Sequence, residues 1–169
     1  YLIECAGSRV LGDCGTFQGR NDETRNKSPF PFAPSTLNAV LLTHAHLDHS
    51  GRIPLLVKQG FSGAIRATLP TLELLDVLWR DSANLMREEA EWKTRKNERK
   101  GIPPVEPLYS LDDVEKALSH LSPASYDERI DVAPVVAVRF RDAGHILGSA
   151  ILEVWLTEGD ERVTVVFSG

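Results

Sequence analysis

Long apolar runs are missing from this chain: none approaches the roughly 18 residues that a membrane-crossing helix needs. A charged segment leading into an apolar one, the mark of a secretory leader, is missing too. The expectation is therefore a cytoplasmic protein with no membrane partner. Cysteine is scarce. Cys5 and Cys14 are too few for a disulfide framework and lack C-x-x-C spacing. The segment YLIECAGSRVLGDC reads as a hairpin turning at Gly7-Ser8, which would pair Cys5 with Val10 and Cys14 with Tyr1. On that register the sulfurs lie about 13 Å apart along the strands at ~3.3 Å per residue, whereas a disulfide needs Cα atoms within about 7 Å. Both cysteines are expected to be reduced, small and buried. An excess of positive charge is also lacking. With 19 basic against 24 acidic residues the formal net charge is −5, which argues against binding nucleic acid through a broad basic surface but leaves local contacts open.

What is present suits one globular domain over residues 1–169, at 42% hydrophobic and 25% charged, long enough to bury a real core. Residues 1–5 and 9–14 read as strands. Residues 15–36 are rich in Gly, Asn and Pro without a period, a long loop of the kind that more often carries function than not. NAVLLT is a short buried strand, SGRIPLLVKQG a helix closed by Gly60, and AIRAT another short strand. Residues 69–101 read as one or two helices, with Pro70 suited to a first turn and Glu89–Lys93 and Glu91–Arg95 spaced as helix-supporting pairs. From Arg80 to Lys100 there are seven basic and five acidic residues, a local +2, which fits a solvated helix projecting from the body. A surface that grips a polyanion is the alternative. SLDDVEKALSHL is a helix capped by Ser110 with Asp113 three residues on, and His120 near its end has a structural reading rather than a ligand's. Residues 135–141, 150–157 and 162–168 close the chain as strands, so strands, helices and strands in that order suggest an α/β sheet packed against helices.

The chemistry concentrates in VLLTHAHLDHSGRIP. Three of the five histidines and an aspartate fall within six residues there. In extended chain, residues two apart point the same way, so His44 and His46 can reach one ion together. Asp48 and His49 come as the chain turns into a helix and can point elsewhere. Neutral imidazole is the commonest metal ligand, and burying such a cluster without a partner would leave costly unpaired polar groups. His145, in AGHILGS, is the fourth histidine of interest, flanked by Gly144 and Gly148, where glycine lets backbone approach a crowded site.

THAHLDHSG resembles the metal-binding signature of the metallo-β-lactamase superfamily. HSGRIP and GHILGSA are similar to the β-CASP branch, the nucleases related to the cleavage and polyadenylation specificity factor. VLGDCGTFQG resembles that branch's first motif and VVFSG its fourth. The resemblance covers nearly the whole chain. It implies part of an αββα sandwich and a cytoplasmic, RNA-directed, zinc-dependent hydrolase. Carried over residue by residue, His44, His46 and His145 would hold a first zinc, and Asp48 and His49 a second. Asp13 would brace the metal loop by hydrogen bonds rather than touch metal. Asp48 would also orient the proton of the attacking water.

The sequence departs from the pattern at its margins. It stops one residue short of the aspartate expected to bridge two metals. The later histidine of the second zinc is absent, as are the β-CASP insert and the strand expected ahead of YLIEC. The expectation is the leading part of a longer metallo-β-lactamase domain, holding at most one zinc and nearly inactive alone, whose parent cuts RNA, single-stranded by preference. The leaving-group acid is not visible. DNA cleavage within the same branch, a thioester or lactam hydrolase on the same fold, and a metal-free scaffold are the alternatives.

Overall fold

A computed structural model describes residues 1–19, 22–98 and 100–169. Arg20 and Asn21 of the long loop and Arg99 of the charged stretch lie outside the described residues. Strands β1 (Leu2–Cys5) and β2 (Ser8–Gly12) form an antiparallel hairpin. Strands β3 (Ala39–Leu41), β4 (Ala64–Thr68) and β5 (Leu121–Ala124) join it in parallel, giving a five-stranded sheet in chain order. A second, antiparallel sheet follows, also in chain order: β6 (Arg129–Ala133), β7 (Val136–Asp142), β8 (Ala150–Glu158) and β9 (Glu161–Phe167). The helices are α1 (Asp22–Lys27), α2 (Leu47–Ser50), α3 (Ile53–Lys58), α4 (Leu69–Glu98) and α5 (Leu111–Leu118).

Side-chain alternation on the short strands builds two cores. Val40 of β3 and Leu11 of β2 face the helices, where they join Ile65, Leu75, Trp79 and Val114. Ala39, Leu41 and Val10 point the other way and pack on Val138, Phe140, Leu152 and Val154 of the second sheet. A strand apolar on both faces is thereby buried on both. The order is helices, first sheet, second sheet, which is the expected α/β architecture.

Several sequence expectations change in detail. The hairpin turns at Ala6-Gly7, not Gly7-Ser8, so Cys5 pairs with Ser8 and Val10 with Ile3. Both turn residues have positive φ, 41° and 80°, the geometry whose twist matches a tight hairpin. Cys14 lies beyond the end of β2 and is buried, whereas Cys5 is only half-buried, and both are free thiols. The long loop contains α1 and a 3-10 turn, Pro34–Thr36. SGRIPLLVKQG splits into the end of α2 and all of α3, since Pro54 opens a helix of its own, and Gly60 closes it at φ +102°. Residues 69–101 give one 30-residue helix, α4, which buries Leu72, Leu75, Trp79 and Ala83 at three- and four-residue spacing. Its expected pairs form, Glu89–Lys93 at 2.9 Å and Glu91–Arg95 at 3.9 Å. The capping box at Ser110 and Asp113 is complete. His120 Nδ1 lies 3.1 Å from the Gly63 carbonyl, which accounts for it as a structural group. Strands β5 and β6 had no sequence expectation. Pro123 lies inside one, and charged and half-exposed residues dilute the alternation of the other.

Candidate metal centre

The chain leaves β3 at Leu41 and enters α2 at Leu47, and the connection carries Thr43, His44 and His46. Ser50 Oγ donates to the Ala45 carbonyl at 2.9 Å and the Ser50 amide to that of His46 at 2.9 Å, so the single turn of α2 fixes the middle and the end of H-A-H. Gly15 makes the next layer possible. A Cβ there would stand 1.6 Å from the Asp48 carbonyl oxygen, so only glycine lets the loop after β2 lie against α2. Backbone bonds then zip the two together: Cys14 N to His49 O at 2.7 Å, Thr16 N to Leu47 O at 2.8 Å and Arg52 N to Cys14 O at 2.9 Å.

Ligand atoms of His44, His46 and His145 all lie within 4.8 Å of one another. His44 Nε2 is 3.0 Å from His46 Nδ1, and His145 Nε2 is 3.4 Å from the same atom. His49 joins the cluster with its ring tilted 46° to that of His44, the centroids 4.2 Å apart. Asp48, half-exposed, points a carboxylate oxygen to within 3.8 Å of His49 Nε2. These five side chains, with Ser149, Ser168 and Gly169, line a cleft of about 250 Å³. A larger hollow of about 680 Å³ adjoins it, sharing Asp48 and His49 and walled by Phe17, Phe30, Phe32 and Arg52.

Asp13 organises the cluster without being among the three converging ligands. Its Oδ1 accepts from the Thr43 amide at 2.8 Å, and its Oδ2 from the Thr43 hydroxyl at 2.9 Å and from His49 Nδ1 at 2.8 Å. Because the Thr43 hydroxyl proton goes to Asp13, its oxygen is left to accept from His44 Nδ1 at 2.9 Å. That fixes the proton of His44 on Nδ1 and turns the Nε2 lone pair toward His46 and His145. Asp13 sits at φ +53°, a left-handed position that aspartate tolerates better than most residues, with its amide bonded to Leu41 O at 3.0 Å.

Electrostatics agree with this assignment of protons. Burial, and then the neighbouring imidazoles of His49 and His46, push His44 down to about 4, so it is a neutral ligand at pH 7. His49 moves the opposite way, raised first by its hydrogen bond to Asp13. Three imidazoles converging on one point, with the His44 ring held in a fixed tautomer from behind, fit a divalent metal ion.

His145 is brought in from the far sheet by a clamp that the sequence did not reveal. Thr68 and Thr71 hydroxyls both donate to the Gly148 carbonyl, at 2.5 and 2.9 Å. Gly148 has φ +80°, and a Cβ there would meet the Thr71 amide at 2.6 Å. Ser149 Oγ accepts from the amides of His145 and Ile146 at 3.1 and 3.2 Å, and Tyr126 donates to the Ser149 carbonyl at 2.9 Å. Ala150 N donates to Thr43 O at 2.8 Å, tying this loop to the H-A-H loop. Thr43 and Ser149 lie inside the motifs THAHLDHSG and GHILGSA and were open to notice. Thr68 and Thr71 are some 80 residues from their partner and gave no signal.

Comparison with known proteins places these features in a family context. Residues 1–163 match the metallo-beta-lactamase superfamily. Over 169 residues the chain is 39% identical to "Ribonuclease TTHA0252" of Thermus thermophilus, all of this chain aligning with 34% of that protein. It is 37% identical over 174 residues to "Transcription termination factor FttA" of Methanosarcina mazei, with all of this chain and 24% of the relative covered. The chain thus spans about a third and about a quarter of the lengths of these curated relatives. Among solved structures, MEM-A1, a subclass B3 metallo-beta-lactamase from a soil metagenome library, superposes with a TM-score of 0.58 at 18% identity, over 98% of this chain and 54% of that one. BJP-1 of Bradyrhizobium japonicum gives 0.56 at 19%, over 99% and 54%. At such identity the likeness is one of fold.

Proposed function

Because the chain belongs to the metallo-β-lactamase superfamily, and its motifs and relatives point to the β-CASP branch within it, we propose that it carries the metal-binding part of a zinc-dependent hydrolase that cleaves phosphodiester bonds of RNA. The observation that carries this reading is the convergence of His44, His46 and His145 on one point beside a half-exposed aspartate. On this reading the three histidines hold a first zinc and leave an open position, the arrangement of catalytic rather than structural zinc sites. Asp48 and His49 face a second position, where two ligands alone bind an ion weakly. The metal, when bound, supplies Lewis-acid activation of water and neutralises charge on the phosphoryl oxygens.

The chain's own groups prepare that chemistry. Thr43 and Asp13 hold His44 in one tautomer, and Asp13 orients His49 through Nδ1, leaving its Nε2 toward Asp48. Asp48 reaches into the cleft at a carboxylate oxygen able to hold a proton taken from the attacking water. RNA as substrate, zinc as metal and slow turnover by these 169 residues alone all belong to this proposal.

The test begins with metal content after purification without added metal, on this chain and on His46→Ala. Near one zinc per chain, lost in the variant, is the expected result. Zinc retained in His46→Ala would refute the ligand set. Cleavage of labelled single-stranded RNA and DNA of one sequence then separates the substrates, and a lack of metal-dependent cleavage by the full-length protein would sink the hydrolase reading.

A further inference from the structure

Charge is strongly polarised along the sequence that runs from the middle of α4, which ends at Glu98, to Lys100 just beyond it. From Arg80 to Glu91 there are two basic and four acidic residues, whereas from Trp92 to Lys100 there are five basic residues and one acidic one, a net +4 in a chain of net −5. A tryptophan marks the boundary. Trp79, on the same helix, is fully buried, but Trp92 is 55% exposed. Of the two aromatic side chains on α4, Trp92 is the one left exposed. Lys96 Nζ lies 5.0 Å from the Trp92 ring centroid, and Arg95 and Lys100 stand beside them around one hollow. Among the described residues, neither Lys96 nor Lys100 has a carboxylate within 4 Å, and Arg95 is only at the 3.9 Å limit from Glu91. The basic residues earlier on the helix differ: Arg80 is bonded to Asp76 and Glu115, and Arg87 to Glu91.

Cations at a helix C-terminus favour its dipole, and this accounts for part of the charge. It does not account for an exposed indole with its face toward them. An aromatic face beside cations, two of which, Lys96 and Lys100, have no ion pair among the described residues, is the combination that holds single-stranded nucleic acid: the base stacks while phosphates meet ammonium and guanidinium groups. The site is remote from the histidines. Trp92 lies 23 residues beyond Leu69, about 35 Å along the helix at ~1.5 Å per residue from the end that clamps the His145 loop.

We propose that Trp92, Arg95, Lys96 and Lys100 form a stacking platform for single-stranded RNA, remote from the metal centre and engaging the strand away from the bond to be cut. The platform rests on the reading of RNA as substrate but not on catalysis, so it can be tested with the metal removed. Fluorescence anisotropy of a fluorescein-labelled single-stranded RNA 20-mer, titrated with this chain in EDTA, measures binding alone. Trp92→Ala is expected to weaken binding about 5- to 150-fold, the effect of losing one base–aromatic stack. Trp92→Phe should retain most of it. Lys96→Ala with Lys100→Ala should flatten the salt dependence of log K by about 1.4, two phosphate contacts at ~0.7 each.

Duplex RNA, whose bases are already stacked, should be indifferent to Trp92→Ala. Single-stranded RNA bound by Trp92→Ala within twofold of the wild type would overturn the platform. An equal loss on duplex RNA would overturn it as well, since the residue would then not act by stacking on unpaired bases. The two readings fail separately. Binding that depends on Trp92 without metal-dependent cleavage by the full-length protein sinks the hydrolase and leaves the platform. Cleavage with no effect at Trp92 does the reverse.

Discussion

Thr43→Val tests whether the hydrogen bonds behind the histidines serve the metal or only the fold. The substitution keeps the branched shape and removes one buried hydroxyl. That hydroxyl gives its proton to Asp13 and accepts from His44 Nδ1 at 2.9 Å. Without it, His44 Nδ1–H is a buried donor with no acceptor, at a cost of about 1–3 kcal/mol, and the ring can relax by moving its proton to Nε2, the ligand atom. Asp13 keeps the Thr43 amide at 2.8 Å and His49 at 2.8 Å, so the carboxylate stays in place. The expected loss of zinc affinity is therefore about 10- to 100-fold, or about 1.4–2.8 kcal/mol, which matches the cost of the unpaired donor. Competition against a chromophoric chelator measures the affinity, and urea unfolding in EDTA measures the stability of the metal-free chain. A purely structural hydroxyl would move the second quantity and not the first. Zinc affinity within twofold of the wild type, with any change confined to unfolding, would refute the reasoning.

Other positions give sharper expectations about the scaffold. Gly148→Ala puts a methyl 2.6 Å from the Thr71 amide at φ +80°, so it should cost more than about 2 kcal/mol in urea unfolding; an unchanged midpoint would mean the clamp is slack. Trp79→Ala removes the largest fully buried side chain and should cost about 3–5 kcal/mol, against less than about 0.5 kcal/mol for the exposed Trp92→Ala. The Cys14 thiol is pushed up to about 12, chiefly by burial, so at pH 8 it stays protonated and iodoacetamide should label the half-buried Cys5 alone, as read by peptide mass. Equal labelling of both in the folded chain would show that the loop after β2 opens freely.

Where the sequence was legible, the signal was local. H-A-H-x-D-H is dense enough that few folds could use it otherwise, and the Ser110 capping box and the pairs of α4 are contacts between residues three or four apart. The hairpin turn was misplaced by one position, and the register with it by two, because Ala6 adopts a positive φ that its side chain does not advertise, and the neighbouring Gly7 fits either turn. Strand β6 escaped because exposed Arg129 and Asp131 dilute its pattern; the contact with β7 that makes it a strand is tertiary. The deepest omission was the means by which His145, 99 residues from His46, arrives within 3.4 Å of it. Two threonines, a glycine carbonyl and a serine hydroxyl accomplish that, and each belongs to a residue type common enough to pass unnoticed. A metal ligand announces itself by its chemistry. The residues that decide whether it can reach the metal carry ordinary chemistry in a particular place, and only the fold, here the junction of β4 with α4 against the loop before β8, supplies the place.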